Sequence, residues 1–179
     1  MTRKDTFDAT IGVLALIGLT IVLATCTATY QPAMAVSQWL EPDSPGAAEY
    51  QQRLVRIEQV RQEQCLALNI YHEARGEPEA GKRAVAEVTL TRTKNGNICR
   101  AVYAPSQFSW THQDVRKASG PAWRDAQRVA RVMLLAEMAS LPPFANGADH
   151  FHAKSVKPHW ARSMVLVAEI GNHYFYRRA

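Results

Sequence analysis

The twenty residues "IGVLALIGLTIVLATCTATY", Ile11 to Tyr30, carry no charge and are rich in Ile, Leu and Val. A segment this apolar at the start of a chain constrains everything after it, because it is withdrawn from the fold that the remainder must build. Its strongest part, Ile11 to Ala24, is short of the ~20 apolar residues that cross a bilayer. It fits the apolar region of a secretory signal, and Ala33, Met34 and Ala35 supply a small-x-small cleavage pattern. A cleaved signal and a retained inner-membrane anchor are both consistent with it. Arg3 and Lys4 precede the segment and the next Lys or Arg is Arg53. That bias places the C-terminal part outside the cytoplasm, in the periplasm or tethered to the inner membrane. Export also changes how Cys65 and Cys99 are read, since an oxidising compartment lets them form a disulfide; two buried thiols are the alternative. "LATC", ending at Cys26, is a weak match to an acylation site because Thr25 replaces a smaller residue.

Residues 31–49 hold three prolines without periodicity and read as a linker, so the expected organisation is 1–30 signal or anchor, 31–49 linker and 50–179 globular domain. From Gln64 onward there are 16 Lys and Arg against 9 Asp and Glu, which suits an anionic partner. No recognised nucleic-acid-binding motif accompanies that charge, and a monomer is expected.

Within the globular part, "YQQRLVRIEQVRQEQCLALNIYHEA" predicts one long helix, polar first and apolar later. Gly76 and Pro78 end it and open another, with Ala84, Val85 and Val88 on one stripe. "GPAWRDAQRVARVMLLAEMAS" predicts a third, with Trp123, Ala126, Ala130 and Met133 facing inward. The period then shortens toward two. "ADHFHA", "SMVLVAEIG" and "HYFYR", with a Gly171-Asn172 turn, predict a small antiparallel sheet whose middle segment is a buried strand. "QFSWT" reads as a further strand or a binding loop. The fold class is α+β, mainly helical.

Leu66, Ile70 and Glu73 are spaced by four and three, so a carboxylate lies on an apolar helix face. Partial desolvation there raises its pKa toward what a general acid needs. A structural carboxylate paired with Arg75 or another arginine competes with that reading. His72-Glu73 is no zinc-protease motif, because Gly76 stands where the second histidine is required. His150, His152 and His159 lack cysteine or carboxylate companions at ligand spacing, so neither a metal nor another cofactor is expected. No nucleophile elbow and no phosphate-binding glycine loop are present.

"IYHEARGEPEAGKRAVAEVTLTRTKN" followed by "ICRAVYAPSQFSW" resembles the catalytic domain of SleB-type cell-wall hydrolases, the family of the spore-cortex lytic enzyme. The resemblance covers roughly Gln64 to Arg178, and its most specific element is Glu73 to Pro78. It implies a fold related to the lysozyme-like lytic transglycosylases. It implies cleavage of peptidoglycan strands between N-acetylmuramic acid and N-acetylglucosamine, with Glu73 as the acid and base. Candidate sugar contacts are Tyr71, Gln107, Phe108, Ser109, His152 and Trp160, with Arg75 fixing the adjoining loop or Glu77, and Glu77 capping the helix after Pro78. Relatives carry an Asn-like residue where His152 stands, and paired cysteines are typical of versions from Gram-negative bacteria and their phages. The expected reaction is lytic transglycosylation with Glu73 as the single catalytic carboxyl group. A hydrolytic muramidase, an amidase and a non-catalytic wall-binding module are the competing functions, and both an endolysin and a wall-remodelling role fit.

Overall fold

A computed structural model describes residues 44–93, 96–114 and 117–179. The apolar segment and most of the linker expected from sequence lie outside these residues. The chain divides into two compact units, Met1–Val55 and Arg56–Ala179. Of the first, the described part is residues 44–55, the opening turns of helix α1, which carry a Glu49–Arg53 ion pair of 2.8 Å.

Helix α1 runs Pro45–Ala74 and so begins inside the stretch expected to be linker. The cause is local: the Ala47 N–H donates to Ser44 Oγ at 3.1 Å, and Pro45 follows as the first helical residue. A capping serine and a proline with φ already set start a helix at small cost. Among the described residues no helix is long and apolar enough to cross a membrane.

The second unit contains helices α2 (Glu79–Arg92), α3 (Ile98–Val102) and α4 (Gly120–Met138), and strands β1 (His150–Ala153), β2 (Met164–Ile170) and β3 (His173–Arg178). The strands form an antiparallel sheet in the order β1-β3-β2, with Phe151 opposite Phe175 and a register irregularity between Leu166 and Ala168. The mainly helical α+β class expected from sequence is therefore the fold observed. Two particulars differ. The β2 strand is an edge strand with Val165 and Leu166 exposed, so its apolar run is not buried. Of the two expectations for "QFSWT", the strand does not form: Ser109–His112 is a single 3-10 turn in a loop.

Two apolar clusters hold the unit together. Leu66 and Ile70 of α1 meet Val102 of α3 and Val129 and Ala130 of α4. Ala84, Val85 and Val88 of α2 meet Phe175 of β3. Each fully buried Leu, Ile, Val or Phe side chain contributes ~1.5 to 3 kcal/mol relative to an exposed one. Cys65 and Cys99 are joined by a disulfide with 5.2 Å between their Cα atoms, tying α1 to α3.

Because the clusters occupy successive faces of α1 and α2, the end of α1 is held against both the helical layer and the sheet. That junction is where Glu73 lies.

Candidate active site

Glu73 occupies the last turn of α1, one step past the fully buried Ile70. The helix stops one residue later, and the Glu77 N–H returns to Ala74 O at 2.9 Å. This leaves the carboxyl half-buried in the lining of a cleft of about 470 Å³. The loop Ser106, Gln107, Phe108 and Ser109 lines it, as do His150 and Phe151 of β1 and Trp160. Ser106 adopts φ 61°, a left-handed conformation uncommon for a residue with a Cβ.

Two other buried glutamates show what is particular to Glu73. Glu77 accepts from the Asn172 backbone N–H at 2.8 Å and from Asn172 Nδ2 at 3.1 Å. Glu87 accepts from the backbone N–H groups of Ala145 at 2.7 Å and Gly147 at 3.0 Å. Both are satisfied, structural carboxylates that fasten turns, Glu77 from just before α2 and Glu87 from within it. Glu73 has no hydrogen-bond or ion-pair partner among the described residues. Burial raises its pKa, and the Arg92 guanidinium partly opposes that rise from beyond ion-pair distance. A carboxyl group that is desolvated, unpaired and open to a cleft is poised to donate and recover a proton.

Arg92 ends α2 and lines the same cleft. Its Nε donates to Asp149 O at 2.6 Å, and its guanidinium lies 5.7 Å from the centre of the Phe108 ring. Burial lowers its pKa, against the charges of Asp149 and Glu73 that favour the cation.

The residues singled out from sequence divide into groups. Gln107, Phe108, Ser109 and Trp160 line the cleft with Glu73. Tyr71 does not: two residues before Glu73 on a helix, it points to another face, where it is buried against Trp123 at 6.1 Å. His152 is also outside the lining. Its Nε2 meets the Tyr176 hydroxyl at 3.0 Å and its ring packs beside Trp160 at 5.5 Å. Arg75 is exposed and lies over the Tyr71 ring at 5.4 Å, and no ion pair joins it to Glu77. Glu77 does not cap α2, whose N-cap, Pro78, has no side-chain cap bond. It reaches across to the β2–β3 turn instead.

Sequence reasoning missed Arg92, Ser106, His150 and Phe151 as lining residues. For Arg92 the signal existed: Val85, Val88 and Arg92 follow steps of three and four, a charge on an apolar stripe like that of Glu73. Asn69 was missed too. Fully buried, it donates to Thr89 Oγ1 at 2.8 Å and accepts from Trp110 Nε1 at 3.2 Å, and Trp110 in turn stacks on His72 at 4.4 Å. Among the described residues no three His, Cys, Asp or Glu side chains converge as metal ligands would.

A half-buried, unpaired carboxyl in an aromatic and amide-lined cleft is an arrangement suited to general acid-base chemistry. The Cell Wall Hydrolase family profile matches residues 76–176, more than half of the chain, and the chain belongs to that family. The match begins three residues beyond Glu73, so the case for that residue rests on its geometry. Spore cortex-lytic enzymes are among the similar proteins. That of Oceanobacillus iheyensis is 28% identical over 116 residues, covering 63% of this chain and 40% of the relative. That of Halalkalibacterium halodurans is 28% identical over 116 residues, covering 63% and 33%. The chain thus spans well under half the length of these relatives. Two solved structures are similar: the catalytic domain of Bacillus cereus SleB, at 22% identity and TM-score 0.48 over 65% of this chain and 89% of that one. The other is the catalytic domain of the germination-specific lytic transglycosylase SleB from Bacillus anthracis, at 21% identity and TM-score 0.48 over 65% and 93%.

Proposed function

We propose that this protein cleaves the glycan strand of peptidoglycan between N-acetylmuramic acid and N-acetylglucosamine, with Glu73 as the single acid and base. The observation that carries this reading is the contrast among the buried glutamates. Glu77 and Glu87 are satisfied by hydrogen bonds, whereas Glu73 faces a cleft without a partner among the described residues.

Ordinary glycosidases use two carboxyl groups about 5 to 10 Å apart. Among the described residues no second Asp or Glu lines the Glu73 cleft. Asp149, in an adjoining cavity, is engaged by His150 at 2.9 Å and Arg178 at 3.5 Å, and Asp114 is exposed. A lytic transglycosylase requires one carboxyl group. Glu73 protonates the glycosidic oxygen as the bond to muramic C1 breaks. The C6 hydroxyl of the same sugar then attacks C1, and the Glu73 carboxylate takes its proton, closing an anhydro ring. The nucleophile is already attached to the reacting sugar, which replaces much of the positioning a bound water would need.

Trp160 and Phe108 offer ring faces for sugars, and Gln107 and Ser109 offer polar groups for their substituents. The enzyme acts outside the cytoplasm, with the N-terminal apolar segment as signal or anchor, and its excess of Lys and Arg holds it to the anionic wall. Digestion of purified sacculi by wild type and Glu73→Gln, with products weighed, tests this reading. Anhydro-muramic ends with wild type alone support it. Ends that have gained water reject transglycosylation, and full activity in Glu73→Gln rejects the role of Glu73.

A further inference from the structure

The Glu73 cleft does not end at Arg92. A second cavity of about 440 Å³ adjoins it, and Arg92, Gln107 and His150 line both. The guanidinium of Arg92 therefore stands where the two chambers meet. Its Nε is committed to Asp149 O, while its terminal nitrogens have no acceptor among the described residues. Phe108 beneath the guanidinium helps hold its plane.

The far side of the second chamber is formed by Arg178, whose side chain is 79% exposed and lies 3.5 Å from the Asp149 carboxylate. That carboxylate is shared with His150 Nδ1 at 2.9 Å. One acidic side chain thus stands against two guanidinium groups, and the chamber keeps a positive excess. Thr91 and Gln107 add neutral hydrogen-bonding groups. A neutral sugar has no use for uncompensated guanidinium nitrogens, whereas a carboxylate is matched by their planar fork.

We propose that this second chamber is a subsite for a carboxylate carried on the side arm of muramic acid, gripped by Arg92 and Arg178 while the sugar backbone lies over Glu73. The proposal rests on peptidoglycan being the substrate. Muramic acid bears a lactyl arm from which an acidic peptide extends, so every second sugar of the strand can present a carboxylate beside the scissile bond. The chamber makes the enzyme selective for strands that retain that charge.

The test is binding of the Glu73→Gln protein to soluble strand fragments. One set is native; in the other the carboxylates are converted to neutral methylamides. Native fragments bind about tenfold more tightly, the effect of one charge-assisted contact, and Arg178→Gln reduces that preference to about twofold. Arg178 is exposed at the end of β3, and an unchanged melting temperature verifies that the substituted protein is folded. Arg124→Gln removes an exposed cation that lines neither chamber and retains the preference. Equal binding of native and neutralised fragments, or binding of neither, overturns the proposal. So does an Arg124→Gln protein that loses as much preference as Arg178→Gln, because the charge effect is then diffuse. Product masses from wild-type digestion decide the cleavage reading separately, so either reading can fail while the other stands.

Discussion

The Asn172 backbone N–H donates to Glu77 Oε2 across 2.8 Å, joining two positions 95 residues apart. A carboxylate just past the end of α1 thereby fastens the β2–β3 turn against the start of α2. Gly171 makes the approach possible: its φ is +57°, and a Cβ there would lie 1.9 Å from Glu77 Oε2 and 3.1 Å from Pro78 Cδ. Gly171→Ala combines a left-handed backbone with that clash. It is expected to destabilise the protein by about 2 kcal/mol or more, measured by denaturant unfolding.

Glu73→Gln is expected to lower strand cleavage by at least ~10²-fold, the scale of a lost general acid. Its melting temperature at neutral pH equals or exceeds that of wild type. The sign follows from burial, which raises the folded pKa above the ordinary value of 4.5. The folded state then holds its proton more tightly than the unfolded chain, so stability falls as pH rises from the unfolded toward the folded pKa. Above that window the ionised carboxylate disfavours folding, and a neutral amide does not. Calorimetry of the two proteins checks this, and a marked drop in the variant would contradict it.

Arg92→Gln is expected to move the alkaline limb of the pH–rate profile upward. The Arg92 charge lowers the Glu73 pKa against the larger effect of burial, so removing it lets the acid form persist to higher pH. A limb that stays in place, or moves to lower pH, would show that the two groups are not coupled during catalysis.

Replacing both Cys65 and Cys99 by Ser removes a cross-link between residues 34 apart in sequence. The chain-entropy description gives a loss of roughly 3 to 4 kcal/mol for a loop of that size. Thermal unfolding should fall by on the order of 10 °C. Wild type treated with reductant should approach the variant, and a variant as stable as the oxidised protein would refute the estimate.

His173 provides a second pH dependence, independent of activity. Its Nδ1 is buried, has no hydrogen-bond partner, and lies 3.7 Å from Glu77 Oε1. Burial lowers its pKa, with Glu77 opposing and His152 reinforcing the effect. Stability is therefore complete above the unfolded value of about 6.5 and is lost as pH falls through the depressed folded value. His173→Asn is expected to flatten the fall of melting temperature below pH 6.5, and a fall as steep as that of wild type would refute it.

Much of the architecture was legible because it follows from local rules. The α1, α2 and α4 patterns repeat at helical spacing, and the prolines and glycines between them mark where such a pattern stops. Where a local rule was ambiguous, the reading slipped. Ser44-Pro45 opens a helix, yet among neighbouring prolines it resembled a linker. The apolar run of β2 resembled a buried strand, although its place at the sheet edge leaves Val165 and Leu166 exposed. Nothing in a one-dimensional pattern says which strand will occupy an edge.

The site divides in the same way. The sequence alone determined that a carboxylate lies on the apolar face of α1, because residues three and four apart share a face whatever packs on them. Two positions earlier on the same helix, Tyr71 is turned well away from Glu73 and packs against Trp123. Only the tertiary structure decided that Glu73 would face an open cleft while Glu77 and Glu87 would be tied to backbone N–H groups. It also brought Arg92, His150 and Trp160 from three distant segments to one hollow. The physical reason is range: helix periodicity is set by neighbours within a turn. Whether a buried charge finds a partner depends on chain segments that only the packed core brings within hydrogen-bonding distance.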